Sequence, residues 1–122
     1  MILLDTSSLV HFSRRKGDAG VKERVRAILK GGDAAICPVV EVELAMGVAS
    51  EQDGRDVEEL CNLLVSLPID ERVWQQAKSL GRACRRNGTP VPASDLLIAS
   101  CARVHGAALE AVDTHFEVLE KL

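Results

Sequence analysis

Met1-Ile2-Leu3-Leu4-Asp5-Thr6-Ser7-Ser8-Leu9-Val10 opens the chain with a short apolar run, an acid, and hydroxyl residues that lead into a second apolar stretch. Ile2–Leu4 reads as a short buried strand, and Thr6 to Arg14 as a helix with Leu9, Val10 and Phe12 turned inward. An acid at the junction of a strand and a helix stands where open α/β sheets gather their ligand-binding groups, along the carboxyl ends of the strands. Comparable junctions follow three more times: Glu43 lies a few residues past the apolar run Ala34-Ala35-Ile36-Cys37, Asp95 opens Leu96-Leu97-Ile98-Ala99, and Asp113 closes Ala108-Leu109-Glu110-Ala111-Val112.

The segments between these junctions read as helices. Val21, Val25, Ile28 and Leu29 recur at helical spacing and end at Gly31-Gly32. Pro38 suits the first turn of a helix to about Val48, with Val39, Val40, Leu44 and Val48 inward. Ser50 to Gly54 reads as a polar break, and Val57, Leu60, Cys61 and Leu64 as the next helix. Ser66 to Ile69 is a weak third strand interrupted by Pro68. Asp70 is an N-cap for Val73, Ala77, Leu80 and Cys84, and Gly88 ends that helix. Pro90 and Pro92 form an extended linker, Ser94 caps a helix to about Val104, Ala108 to Val112 reads as a fourth strand, and Thr114 to Leu119 as a final short helix. Strands alternating with helices predict a mostly parallel sheet with helices on both faces, in one domain over residues 1–122. Most of the apolar content at 39–48 and 57–64 is expected in the core.

Composition narrows the function. The net charge is −3, so bound nucleic acid would have to meet a local basic patch rather than a general basic coat. Phe12, Trp74 and Phe116 are the only aromatic residues, which argues against a platform that stacks successive bases. Cys37, Cys61, Cys84 and Cys101 form no close pair of the zinc-binding kind and read as small buried hydrophobes of a reducing compartment. No apolar run approaches a membrane span, and the acid at Asp5 comes too early for a signal peptide, so a cytoplasmic protein with no membrane partner is expected.

Taken singly, three of the four acids have bland explanations. Asp5 and Asp113 can be helix N-caps, and Asp95 a first-turn acid favoured by the helix dipole. Glu43 differs, because it stands about a turn and a half into its helix within Val42-Glu43-Leu44-Ala45-Met46. Carboxylates brought together at one sheet edge would repel one another unless a hard cation held them, and oxygen-rich clusters suit Mg²⁺ or Mn²⁺. Such a set can serve a phosphodiesterase, in which the ion acidifies water and stabilises charge on phosphate oxygens.

Four strings carry a resemblance: Ile2-Leu3-Leu4-Asp5-Thr6-Ser7-Ser8-Leu9-Val10, Val42-Glu43-Leu44-Ala45-Met46-Gly47, Pro92-Ala93-Ser94-Asp95-Leu96-Leu97-Ile98-Ala99 and Val112-Asp113-Thr114-His115-Phe116. In this order and spacing, across essentially the whole chain, they resemble the PIN-domain family and, within it, the VapC-type toxins of toxin–antitoxin pairs. The resemblance implies a three-layer α/β/α fold with a central sheet of four to five strands, and a Mg²⁺- or Mn²⁺-dependent endoribonuclease. It implies Asp5, Glu43, Asp95 and Asp113 as catalytic, metal-holding acids, with Thr6 or Ser7 as a supporting hydroxyl. The glycine four residues after Glu43 selects it over Glu41, which is left at the rim or in solvent. Its implied partners are RNA, a cognate antitoxin and a second copy of the chain in a homodimer.

Two positions depart from the family pattern. His115 stands where many relatives carry a further acid, and Ala111 where many carry Thr or Ser. His115 is open to three readings: a metal ligand, a phosphate contact, or no role. Arg14 and Arg15, and Arg82, Arg85 and Arg86 at helical spacing, are candidate RNA contacts that equally suit solvated helix ends.

Three other functions fit parts of the pattern. A PIN nuclease outside toxin–antitoxin systems, acting in RNA processing or on single-stranded DNA, would lack a neighbouring antitoxin gene. A non-catalytic PIN-like protein-binding module would bind no divalent metal tightly. A response-regulator-like phosphoacceptor would need adjacent acids after the first strand, an Asp after the third and a lysine after the fifth, and none of these is evident.

Overall fold

The computed structural model describes residues 1–122. The elements run β1 (Ile2–Leu4), α1 (Thr6–Ser13), α2 (Ala19–Gly31), β2 (Ala34–Ile36), α3 (Pro38–Met46), α4 (Glu51–Leu63), β3 (Val65–Ser66), α5 (Glu71–Arg86), α6 (Ala93–Val104), β4 (Ala108–Glu110) and α7 (His115–Glu120). All strand pairings are parallel, in the order β3-β2-β1-β4. The chain therefore moves outward from β1 through β2 to β3, then crosses back over the sheet to β4. Right-handed crossovers running in opposite directions put the α1–α2 and α5–α6 pairs on opposite faces. No helix is long and apolar enough to cross a membrane.

β1 lies between β2 and β4, with Ile2 opposite both Ala34 and Ala108, and Leu3 opposite Ala35 and Leu109. Leu3, Leu4, Ala35, Ile36 and Cys37 are fully buried, and join Val25, Val40, Val73, Ile98 and Cys101 in one contiguous apolar cluster. β1 and β2 are covered on both faces, which is why they read as uninterrupted apolar runs rather than as alternating ones, whereas the edge strand β3 is exposed.

Several element boundaries differ from the sequence reading, each for a local reason. The third strand is Val65–Ser66 rather than 66–69; Leu67 N still donates to Ile36 O (2.7 Å), but Pro68 has no N–H to extend the ladder. The polar stretch 50–54 is not a break: Ser50 caps α4 by accepting from Asp53 N, so those residues form the first turn of the helix. Ser94 is not a cap, because α6 starts at Ala93 behind Pro92 with no side-chain cap. The fourth strand ends at Glu110, which leaves Val112 and Asp113 in the loop before α7.

The expectation that most of the apolar content of residues 39–48 and 57–64 is core holds for one face of each segment: Val39, Val40 and Leu44, and Leu60, Cys61 and Leu64, lie in or pack against the apolar cluster. In α3 only Val40 is buried, α4 has no buried residue, and Val42, Met46 (80% exposed) and Leu63 (82% exposed) face outward.

The turn from α1 to α2 depends on a close approach. A Cβ on Gly17 would sit 1.9 Å from the His11 carbonyl oxygen. Next to it, Asp18 N donates to His11 Nδ1 (3.1 Å), and the Asp18 carboxylate caps α2 by accepting from Val21 N (2.9 Å). Gly17→Ala is expected to cost about 1–3 kcal/mol through this clash, read as a lower urea midpoint with an unchanged m-value.

Candidate active site

Asp5 leaves β1 as the N-cap of α1. Its amide continues the ladder to Glu110 O (2.9 Å), and its Oδ2 accepts from Ser7 N (3.0 Å) and Ser7 Oγ (2.5 Å). Ser7 Oγ in turn accepts from Val112 N (3.0 Å), which ties the loop after β4 to the start of α1. On α1 beside it, Thr6 Oγ1 donates to Glu43 Oε1 (2.9 Å), orienting a carboxylate from the middle of α3. Asp95 sits in the first turn of α6, and its Oδ2 is 2.7 Å from His115 Nδ1. Asp113 Oδ1 accepts from the His115 amide (2.9 Å) and lies 3.0 Å from the same Nδ1.

The four acids meet in one open cleft of about 380 Å³, lined by Asp5, Thr6, Ser7, Val10, His11, Glu43, Asp95, Val112 and Asp113; His115 contacts Asp95 and Asp113 without lining it. It lies where β1 and β4 adjoin and the direction of the crossovers reverses, the usual position of a ligand crevice in an open α/β sheet. A second cleft of about 390 Å³ adjoins it through the shared residues Val10 and Glu43 and has Arg14 in its wall.

Burial sets the electrostatics. Asp5 is 4% and Asp95 8% exposed. Loss of solvation pushes both carboxyls above their ordinary range; the Ser7 hydrogen bonds at Asp5 and the His115 ring at Asp95 only partly offset it, while the nearby Asp113 charge adds to it. Glu43 is raised in the same way, first by burial and then, against the Thr6 bond, by the charges of Asp5, Asp95 and Asp113. Three acids whose ionised forms are disfavoured, in part by one another, share one cleft. That donor set fits a small, oxygen-preferring divalent ion, whose charge would offset the repulsion.

The other sequence candidates fall elsewhere. Glu41 is drawn to the end of β3, where its Oε2 accepts from Ser66 Oγ (3.3 Å), and it does not line the acidic cleft. Arg15 is exposed beyond the end of α1. Arg82, Arg85 and Arg86 are exposed on α5; Arg85 borders a separate pocket that reaches Leu96, the neighbour of Asp95.

Sequence reasoning missed His11 and Val10 as cleft residues. Their signal was present: Ser7, Val10, His11 and Arg14 recur at the spacing of one helical face that starts beside Asp5. Glu110 lies at the end of β4 but is turned aside by Arg24 of α2 (2.7 Å).

A sequence profile of the PIN domain matches residues 2–122. The chain belongs to the PIN-domain family. It is 34% identical over 126 residues to Ribonuclease VapC11 of Mycobacterium tuberculosis, covering 100% of this chain and 93% of that protein. Among solved structures, this PIN domain is similar to FitAcB from Neisseria gonorrhoeae, with a TM-score of 0.83 at 23% identity over 98% of this chain and 94% of the other. It is also similar to a chain of a toxin–antitoxin complex from Klebsiella pneumoniae, with a TM-score of 0.76 at 18% identity over 93% and 88% of the two chains.

The raised Asp5 carboxyl gives the PIN domain a distinctive pH dependence. Without a cation, the folded state holds this proton to higher pH than the unfolded chain. Its adverse contribution is absent below the unfolded pKa and grows as pH rises through the folded one. In chelator, Asp5→Asn is expected to melt above wild type at about pH 7, with the gap closing toward about pH 4, where unfolded Asp also protonates. Thermal melts across that range check it.

Proposed function

We propose that residues 1–122 act as one divalent-metal-dependent endoribonuclease that hydrolyses RNA phosphodiesters, and that the protein is the toxin of a VapBC-type toxin–antitoxin pair. The observation that carries this reading is the convergence of Asp5, Glu43, Asp95 and Asp113, from four separate parts of the chain, on one cleft. The ribonuclease named among its relatives supports RNA as the substrate.

Asp5, Glu43, Asp95 and Asp113 would hold Mg²⁺ or Mn²⁺. When bound, such an ion supplies an acidified water and stabilises negative charge on the phosphate oxygens. The chain's own groups supply order. Ser7 fixes the Asp5 carboxylate, Thr6 fixes that of Glu43, and His115 holds Asp95 and Asp113 together. The first turns of α1 and α6, which carry Asp5 and Asp95 to the cleft, favour an anionic phosphate through their aligned backbone amides.

Arg14, in the wall of the adjoining cleft, would take up RNA phosphates leading to the acids, with Arg15 beside it. Arg82, Arg85 and Arg86 would serve a more distant part of the same strand. For the antitoxin, the exposed apolar side chains of Val42 and Met46 on α3, Leu63 on α4 and Val65 on β3 offer a docking surface, which a homodimer contact could share. A chain of related fold in a solved toxin–antitoxin complex supports that partner.

Purified protein incubated with structured RNA and Mn²⁺ is expected to cleave it. Chelation, Asp5→Ala or Asp95→Asn should each lower the rate by about a hundredfold or more. Cleavage that survives chelation or Asp5→Ala overturns the proposal. Arg14→Ala combined with Arg15→Ala should weaken RNA binding and flatten its salt dependence, read as a shallower slope of log affinity against log salt.

A further inference from the structure

We infer that His115 is itself a ligand of the divalent cation, giving the site a nitrogen donor that favours Mn²⁺ over Mg²⁺. The inference rests on the proposed metal-holding role of the four acids and adds to it the identity of a fifth donor and the preference that follows.

The acidic cleft has two unlike halves. Asp5 and Glu43 are oriented by the hydroxyls of Ser7 and Thr6, so that half presents oxygen donors alone. Asp95 and Asp113 are joined by an imidazole. His115 Nδ1 lies 2.7 Å from Asp95 Oδ2 and 3.0 Å from Asp113 Oδ1, and the three donor atoms all lie within 4.8 Å of one another. Adjacent ligands around an octahedral ion with bonds of about 2.1 Å stand about 3 Å apart, so the two spacings from His115 Nδ1 match those between neighbouring positions of such a shell.

The His115 position is well determined. Its amide donates to Asp113 Oδ1 (2.9 Å) in a local turn at the head of α7, and Phe116 and Leu119 anchor that helix in the core. In the tautomer that carries its proton on Nε2, the Nδ1 lone pair is directed among the same carboxylate oxygens that a cation would use. Asp95 and Asp113 then bind the cation jointly with His115 rather than competing with it for a hydrogen bond. Mg²⁺ prefers oxygen and gives up water reluctantly, whereas first-row transition ions accept imidazole readily. A nitrogen donor at this face therefore raises Mn²⁺ affinity more than Mg²⁺ affinity.

The test uses the whole chain, stripped with chelator and loaded with less than one equivalent of Mn²⁺. Pulsed electron paramagnetic resonance should show coupling to a histidine ¹⁴N, replaced by ¹⁵N coupling when histidine is isotopically labelled; this reading needs no substitution. The coupling should vanish in His115→Asn and persist in His11→Asn, the imidazole that lines the cleft. In competition, His115→Asn should lose roughly tenfold or more in Mn²⁺ affinity, at least what removal of an outer-shell partner costs, with a smaller loss for Mg²⁺. Bound Mn²⁺ without histidine coupling, or coupling lost in His11→Asn and kept in His115→Asn, overturns the inference and leaves the metal site standing. Failure of the wild-type chain to bind Mn²⁺ at all overturns the metal-site reading, and this inference with it.

Discussion

The carboxylate of Asp5 is buried at the end of the central strand, and the rest of the site is arranged around keeping it there. Its backbone extends the β1–β4 ladder, its side chain caps α1, and the hydroxyl that satisfies it also receives the Val112 amide. One residue thus couples the sheet, the first helix and the loop that delivers Asp113. A charge in that position is costly unless it is hydrogen-bonded or paired. Ser7 supplies the hydrogen bonds, but the neighbouring acids work against the charge, so the fold carries an electrostatic debt at the point where β1 and β4 adjoin.

That tension distinguishes this cluster from ordinary capping. Asp18, Ser50 and Asp70 cap their helices at exposed or half-exposed positions. Asp5 and Asp95 are buried within reach of each other's charge, and Glu43 joins them from inside a helix. Perturbed acids converging in a cleft are a recognised mark of chemistry rather than of stability. His115 belongs to this arrangement, since it links the two acids that have no hydroxyl partner of their own among the contacts of the cleft.

The sheet and most helices were legible in the amino-acid pattern. Ile2–Leu4 and Ala34–Ile36 are apolar without alternation because both faces are covered, and α2 and α5 show clean helical spacing. The misreadings have two causes. Ser50–Gly54 looks like a break and Ser94 like a cap because their residue types suit either role, and the choice depends on which backbone amides remain free after packing. Part of the apolar content of α3 and α4 looked like core because hydrophobicity alone does not say which face of a helix is covered. Val42, Met46 and Leu63 are left on the uncovered faces.

By itself, the sequence determined the strand–helix alternation, the parallel sheet and the four acids that stand out from it, because apolar periodicity and residue chemistry are local properties. The tertiary structure decided what those acids touch. It sent Glu41 to Ser66 and Glu110 to Arg24, turned His11 into the cleft, and set His115 between Asp95 and Asp113. Those outcomes depend on contacts between residues far apart in the chain, whose distances arise only when the crossovers fold back and bring the carboxyl ends of β1 and β4 side by side.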